Sequence, residues 1–183
     1  MNSPVSLIGL TFKTIVVHTV TYTVMGILAM NLLHYDEQFA RPEVASIMRQ
    51  TTDALVMAGP LFQPIRGLIF ALVFFPIRDV LFTRKNGWFV MFWILTGVGI
   101  LSTFGPTPGS VEGAIYTLIP LKNQLAGWLE VVPQALLLSV ILWFWVRHPE
   151  KHWLTWTLTG IFVLLVLMIV LGLVVTSTAA TQV

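Results

Sequence analysis

The chain has 183 residues, of which 56% are hydrophobic and only 10% charged, with a formal net charge of +2 and no cysteine. A water-soluble domain carries about 25% charged residues, so too few polar side chains remain to cover a surface facing water. This excludes an ordinary soluble globule; the missing cysteines exclude disulfide and thiolate chemistry, and the lack of a basic tract excludes a nucleic-acid-binding arm. The composition predicts an all-α integral membrane protein, one transmembrane helical domain over 1–183, whose first partner is the lipid bilayer.

A hydrocarbon core about 30 Å thick takes roughly 20 apolar residues per helix. In chain order, five stretches meet or approach that length: 8–33, 61–82, 88–104, 128–146 and 153–175. Their apolar runs are continuous, unlike the alternating strands of a membrane barrel, and a helix satisfies every backbone N–H and C=O inside lipid. The first stretch has a single lysine, Lys13, near its start and no clear small-residue cleavage site. It reads as a retained helix, not a signal peptide. Its polar stripe, Thr11, Thr14, His18 and Thr21 with Tyr22 alongside, is expected to face protein.

Between the first and second stretches, Val44, Ile47, Met48, Thr51, Leu55 and Ala58 recur at helical spacing opposite Glu43, Ser46, Arg49 and Asp53. With Pro42 at the start and Gly59-Pro60 as a stop, this predicts an amphipathic interfacial helix over 42–58. The second stretch holds Pro64 in its first turn, where the missing N–H is tolerated, and Pro76 further on, where a kink is expected. The third carries Thr96, Gly99 and Thr103 along one face, a pattern suited to close helix packing. The segment 105–127 is rich in Gly and Pro yet contains AIYTLIPL; too short to span, it is either re-entrant or interfacial over the outer helix ends. The fifth stretch is apolar all round and belongs at the periphery.

The short loops at 83–86 and 147–152 carry Arg84, Lys85, Arg147 and Lys151. The bias of Lys and Arg toward the inner side then puts the N-terminus inside and the C-terminus outside, in a bacterial-type cytoplasmic membrane.

Arg66 falls about 7 Å below the outer start of the second stretch. Charges inside a membrane face the bundle interior and pair, and Glu130, at similar depth, is the expected partner. Gln134 lies one turn below Glu130; Glu112, Lys122 and His34 fall at the same level. These residues, Arg66, Glu112, Glu130, Gln134, Lys122 and His34, make a candidate binding cluster at the outer ends.

His18 lies in mid-helix, about 24 Å from His34, with no second histidine at its depth. An interhelical hydrogen bond is expected of it, not a metal or haem bond. His148 and His152 frame HPEKH, but Pro149 stands where a zincin motif has its glutamate; this reads as a solvated cationic loop. Asp79 is expected to pair with Arg78, Arg84 or Lys85.

No phosphate-binding loop, nucleophile elbow or dinucleotide fingerprint is present, so no catalytic residue, cofactor or metal is assigned. Three classes remain open. The first is a small transporter, carrier or lipid-handling protein with a small-molecule or lipid ligand at the outer ends, and the sequence leans this way. The second is a membrane enzyme acting on a lipid or lipid-linked substrate, with Glu112 or Glu130 as acid or base. The third is an accessory subunit with membrane-protein partners.

Overall fold

In the computed structural model, which describes residues 5–180, every regular element is helical and no strand is present among those residues. Helix α1 (Leu7–Leu32) begins at Ser6, whose Oγ accepts the Gly9 N–H at 3.1 Å. That cap satisfies one of the amides a helix start leaves without a partner. Within α1 the hydroxyls of Thr14, Thr21 and Thr23 donate back to the carbonyls of Leu10, Val17 and Thr19. Turned inward this way, they remove the penalty of a bare hydroxyl in apolar surroundings. The polar stripe does face protein: Thr14, His18 and Thr21 are buried.

After α1 come three short helices, α2 (Tyr35–Phe39), α3 (Pro42–Ala45) and α4 (Ala54–Met57). The single interfacial helix expected over 42–58 is thus replaced by two pieces joined by turns. The break falls in Arg49-Gln50-Thr51-Thr52-Asp53, where short polar side chains compete for the backbone. Asp53 does so directly: it accepts the Leu55 N–H at 2.8 Å, capping α4, and pairs with Arg49 at 3.0 Å.

A 3₁₀ turn (Gly59–Phe62) leads into α5 (Gln63–Phe74), with Pro64 in its first turn as expected. The helix breaks around Pro76, and α6 (Arg78–Thr83) continues it. Helix α7 (Gly87–Thr96) runs into a π-helical turn (Gly97–Leu101). Gly97 and Gly99 face open space, so the expected small-residue packing face does not form there. Close approach occurs instead at Gly87, where a Cβ would lie 1.8 Å from the Leu81 carbonyl oxygen.

The 105–127 segment holds α8 (Val111–Tyr116) and α9 (Leu121–Ala126). Buried Gln124 fastens it: its Nε2 donates to the carbonyls of Ile119 and Gly113, and its Oε1 accepts the Gly109 N–H. Gly109 has φ +89°, and its carbonyl takes the Trp128 indole N–H at 2.9 Å. Helices α10 (Trp128–Arg147) and α11 (His152–Ala180) complete the chain.

Among the described residues, three helices are long and apolar enough to cross a membrane: Leu7–Leu32, Leu121–Arg147 and His152–Val175. The apolar helices Gly59–Phe74 and Gly87–Leu101 are shorter. At the centre stands α1, packed against α5, α10 and α11. Ile15 meets Gly67 of α5, where a Cβ would stand 2.7 Å from the Ile15 Cα, so only glycine allows this crossing. Leu10, Val17, Phe74, Leu138, Leu142 and Trp145 fill the core. Helix α11 is peripheral as expected, showing Leu164, Leu167, Leu171 and Val175 on its outside. An apolar surface of that extent is rare in water and ordinary in lipid.

The contacts also define two ends of the bundle. Lys13 meets Trp145 and Gly26 meets Glu130, so α1 and α10 are antiparallel; Ile15 on Gly67 and His18 on Gln63 make α1 and α5 antiparallel as well. Arg147 Nη1 donates to the carbonyls of Phe82, Thr83 and Arg84. The start of α1, the 83–86 turn and the end of α10 therefore share one end, here called basal. Tyr35 and Glu130, near the end of α1, mark the other, the apical end.

Candidate functional site

The apical cluster is built by three pieces of chain. His34, at φ 49°, adopts the left-handed conformation and turns the chain out of α1 into α2. Short-range strain of this kind is uncommon outside glycine, and histidine is among the residues that tolerate it. The turn brings Tyr35 back toward α10, where its hydroxyl donates a hydrogen bond to Glu130 Oε2. The Tyr35 ring stacks on Phe39 with centroids 5.3 Å apart. Burial, reinforced by the Glu130 carboxylate, pushes the Tyr35 phenol well above its ordinary range, so it remains a donor at neutral pH.

Glu130 is half-buried and sits in the first turn of α10. Its Oε1 lies beside Gly26 of α1, 3.8 Å from where a Cβ would stand, and makes no hydrogen bond among the described residues. Tyr22 lies one turn before Gly26 on α1. Its half-buried hydroxyl approaches Gly59 and also has no hydrogen-bond partner among the described residues. Deeper still, His18 Nε2–H donates to Gln63 Oε1 at 3.1 Å, and Gln63 Nε2 donates to the Gly59 carbonyl at 3.1 Å. A carbonyl oxygen only accepts, so this geometry places the His18 proton on Nε2 and leaves Nδ1 buried without a partner. The interhelical hydrogen bond expected of His18 is present.

The remaining candidates divide. Arg66 is exposed on α5; its guanidinium lies over the Phe70 ring at 5.5 Å and forms no ion pair with Glu130. The direct Arg66–Glu130 pair expected from depth alone does not form. The buried face of α5 runs through Gln63, Gly67, Ala71 and Phe74, and Arg66 falls just off it. Gln134 is half-buried and makes no hydrogen bond among the described residues. Glu112 and Lys122 are exposed on α8 and α9 and join no ion pair among the described residues. The His34 ring is exposed too, and its part is played by the backbone.

Tyr22, Tyr35 and Gln63 complete the cluster but were not legible as members of it. Tyr22 was visible as a flank of the α1 stripe, whereas Tyr35 needed the left-handed turn at His34 to aim it. No group of three or more His, Asp or Glu able to hold a metal occurs among the described residues. Asp79 is exposed and pairs with none of Arg78, Arg84 or Lys85 among the described residues. Chemically, the cluster offers an acceptor with negative charge at Glu130, hydroxyls at Tyr22 and Tyr35, and a cation at Arg66 on the flank. No family model, curated protein or solved structure matches this chain.

Proposed function

We propose that this chain is a small carrier or lipid-handling protein spanning the membrane five times, with the apical end outside and its ligand site at Glu130. The path of α5 and α6 supports five crossings. With the 3₁₀ turn that leads into them, they run from the Tyr22 hydroxyl, which Gly59 approaches, to the basal turn at 83–86, and α7 leads away from that turn again. The helix Gly87–Leu101 is about 22 Å long at 1.5 Å per residue, short of a core of about 30 Å; local thinning of the bilayer accommodates such a mismatch.

The observation that carries the ligand site is Glu130 itself. One carboxylate oxygen of this half-buried residue is held by Tyr35 while the other lies beside Gly26 with no protein donor among the described residues. A charge so placed calls for a donor, and an amine- or hydroxyl-bearing head group supplies one. Arg66 on the flank suits a phosphate of the same head group.

The test compares phosphatidylethanolamine with phosphatidylcholine, which share a phosphate and differ in N–H donors. Binding to the delipidated full chain in detergent is read by native mass spectrometry. The wild type is expected to prefer phosphatidylethanolamine, and Glu130→Gln to lose most of that preference. No preference in the wild type, or an undiminished one in Glu130→Gln, contradicts the reading.

A further inference from the structure

At the basal end a cavity of about 420 Å³ opens between the first turns of α1, helix α6 and the end of α10. Its charged lining is Lys13, Arg78, Arg147 and Asp79, and Leu10, Phe82 and Val146 supply apolar wall. All three cations are half-buried. Among the described residues the one ion pair is Arg49–Asp53, so Asp79 shares the cavity without closing an ion pair to any of them.

The cations are held by other means. Lys13 lies over the Trp145 ring at 5.5 Å, Arg78 over Phe75 at 4.4 Å and Arg147 over Trp143 at 4.8 Å. Lys13 Nζ also donates to the Trp145 carbonyl at 3.0 Å, and Arg78 Nη1 to the Phe75 carbonyl at 3.0 Å. Aromatic faces and carbonyls fix these side chains but cancel no charge. An ammonium has three donors and a guanidinium five. Each cation thus keeps N–H groups that bond nothing among the described residues; in both arginines the bonds run through Nη1 alone.

We infer that this cavity binds the phosphate oxyanion of an anionic amphiphile. Arg78 offers the forked geometry that matches two phosphate oxygens, Lys13 adds a compact charge, and Arg147 adds its unused Nη2 edge. The apolar wall takes the adjoining chain. Basic pockets between membrane helices suit lipid phosphates for these reasons. The same chemistry would be met by a phospholipid of the basal leaflet or by a free phosphate. The cavity lies at the opposite end from Glu130, so its fate and that of the apical site are read separately.

The experiment titrates the delipidated full chain with phosphatidylglycerol and with diacylglycerol, which lacks the phosphate, by native mass spectrometry, then adds inorganic phosphate as competitor. The variant is Lys13→Gln with Arg78→Gln; Arg147 is left intact because it ties α10 to the 83–86 turn. Arg41→Gln, an exposed cation outside the cavity lining, is the control. Phosphatidylglycerol is expected to bind about tenfold more tightly than diacylglycerol, with that advantage lost in the double variant and kept in Arg41→Gln. Displacement by millimolar phosphate would make the oxyanion alone sufficient; resistance to it would make the lipid chain part of recognition. Should the double variant fail to fold, Arg78→Gln alone carries the comparison. Equal binding of the two lipids, or an unchanged advantage in the variant, overturns the inference.

Discussion

Replacing Tyr35 with phenylalanine removes one oxygen and leaves a ring able to stack on Phe39, whose centroid lies 5.3 Å away. What is lost is the hydrogen bond to Glu130 Oε2. A hydrogen bond to a charged group contributes about 1.5–3 kcal/mol, and because both partners are half-buried the lower end applies, about 1.5 kcal/mol. A double-mutant cycle isolates the pair: Tyr35→Phe, Glu130→Gln and the two together, each followed by unfolding in detergent. Since glutamine still accepts a weaker bond, the coupling is expected near 1 kcal/mol. The same cycle with Arg66→Met in place of Tyr35→Phe is expected to be additive within about 0.5 kcal/mol, as these residues share no contact. Additivity at Tyr35 and strong coupling at Arg66 would refute this description of how Glu130 is held.

The pH dependence of the same pair has a definite sign: the folded pKa of Tyr35 is raised, so its contribution is fully present below the ordinary phenol pKa of about 10 and fades as pH rises beyond it. The gap in melting temperature between wild type and Tyr35→Phe should therefore hold through neutral pH and narrow above about pH 10; a gap that widens there contradicts the shift. Gly67→Ala would place a Cβ 2.7 Å from the Ile15 Cα, a backbone atom that cannot rotate away. It should destabilise the bundle by about 1–3 kcal/mol, read as a lowered melting temperature, while Gly99→Ala, in open space, should not. Gln124→Ala leaves the Gly109 N–H without its partner and frees the Ile119 carbonyl. A loss of about 2 kcal/mol should appear as faster proteolysis inside 105–127, and unchanged cleavage would show that the loop is held elsewhere.

What could be read from sequence depended on how local the cause was. Pro64 and Pro76 act through their own rings, so the start of α5 and the break before α6 were legible. The buried threonine stripe of α1 and the outlying position of α11 followed from side-chain pattern alone. The helix expected over 42–58 failed because apolar periodicity outweighed the turn-forming run that ends at Asp53, whose carboxylate caps α4. Glu130 was identifiable as a carboxylate at a helix end, but its partner was not. Arg66 has the right depth and falls just off the buried face of α5, whereas Tyr35 is aimed by a left-handed residue that no pattern announces. Of the basal cations only Arg147 was visible as loop charge, Lys13 and Arg78 standing apart in sequence, and their gathering into one cavity depends on three separate helices meeting.

The five-crossing path is the claim on which both ends of the molecule rest, and the chain lends itself to testing it, since it contains no cysteine. Single cysteines placed at the exposed positions Glu37, Lys85, Glu112 and Glu150 would each be the only thiol, labelled with a membrane-impermeant maleimide in intact cells and in inverted vesicles of a bacterial host. Glu37 and Glu112 should label from outside, and Lys85 and Glu150 from inside. If Lys85 labelled from the same face as Glu112, α5 to α7 would enter and leave on one side, and a three-span chain would replace the account given above.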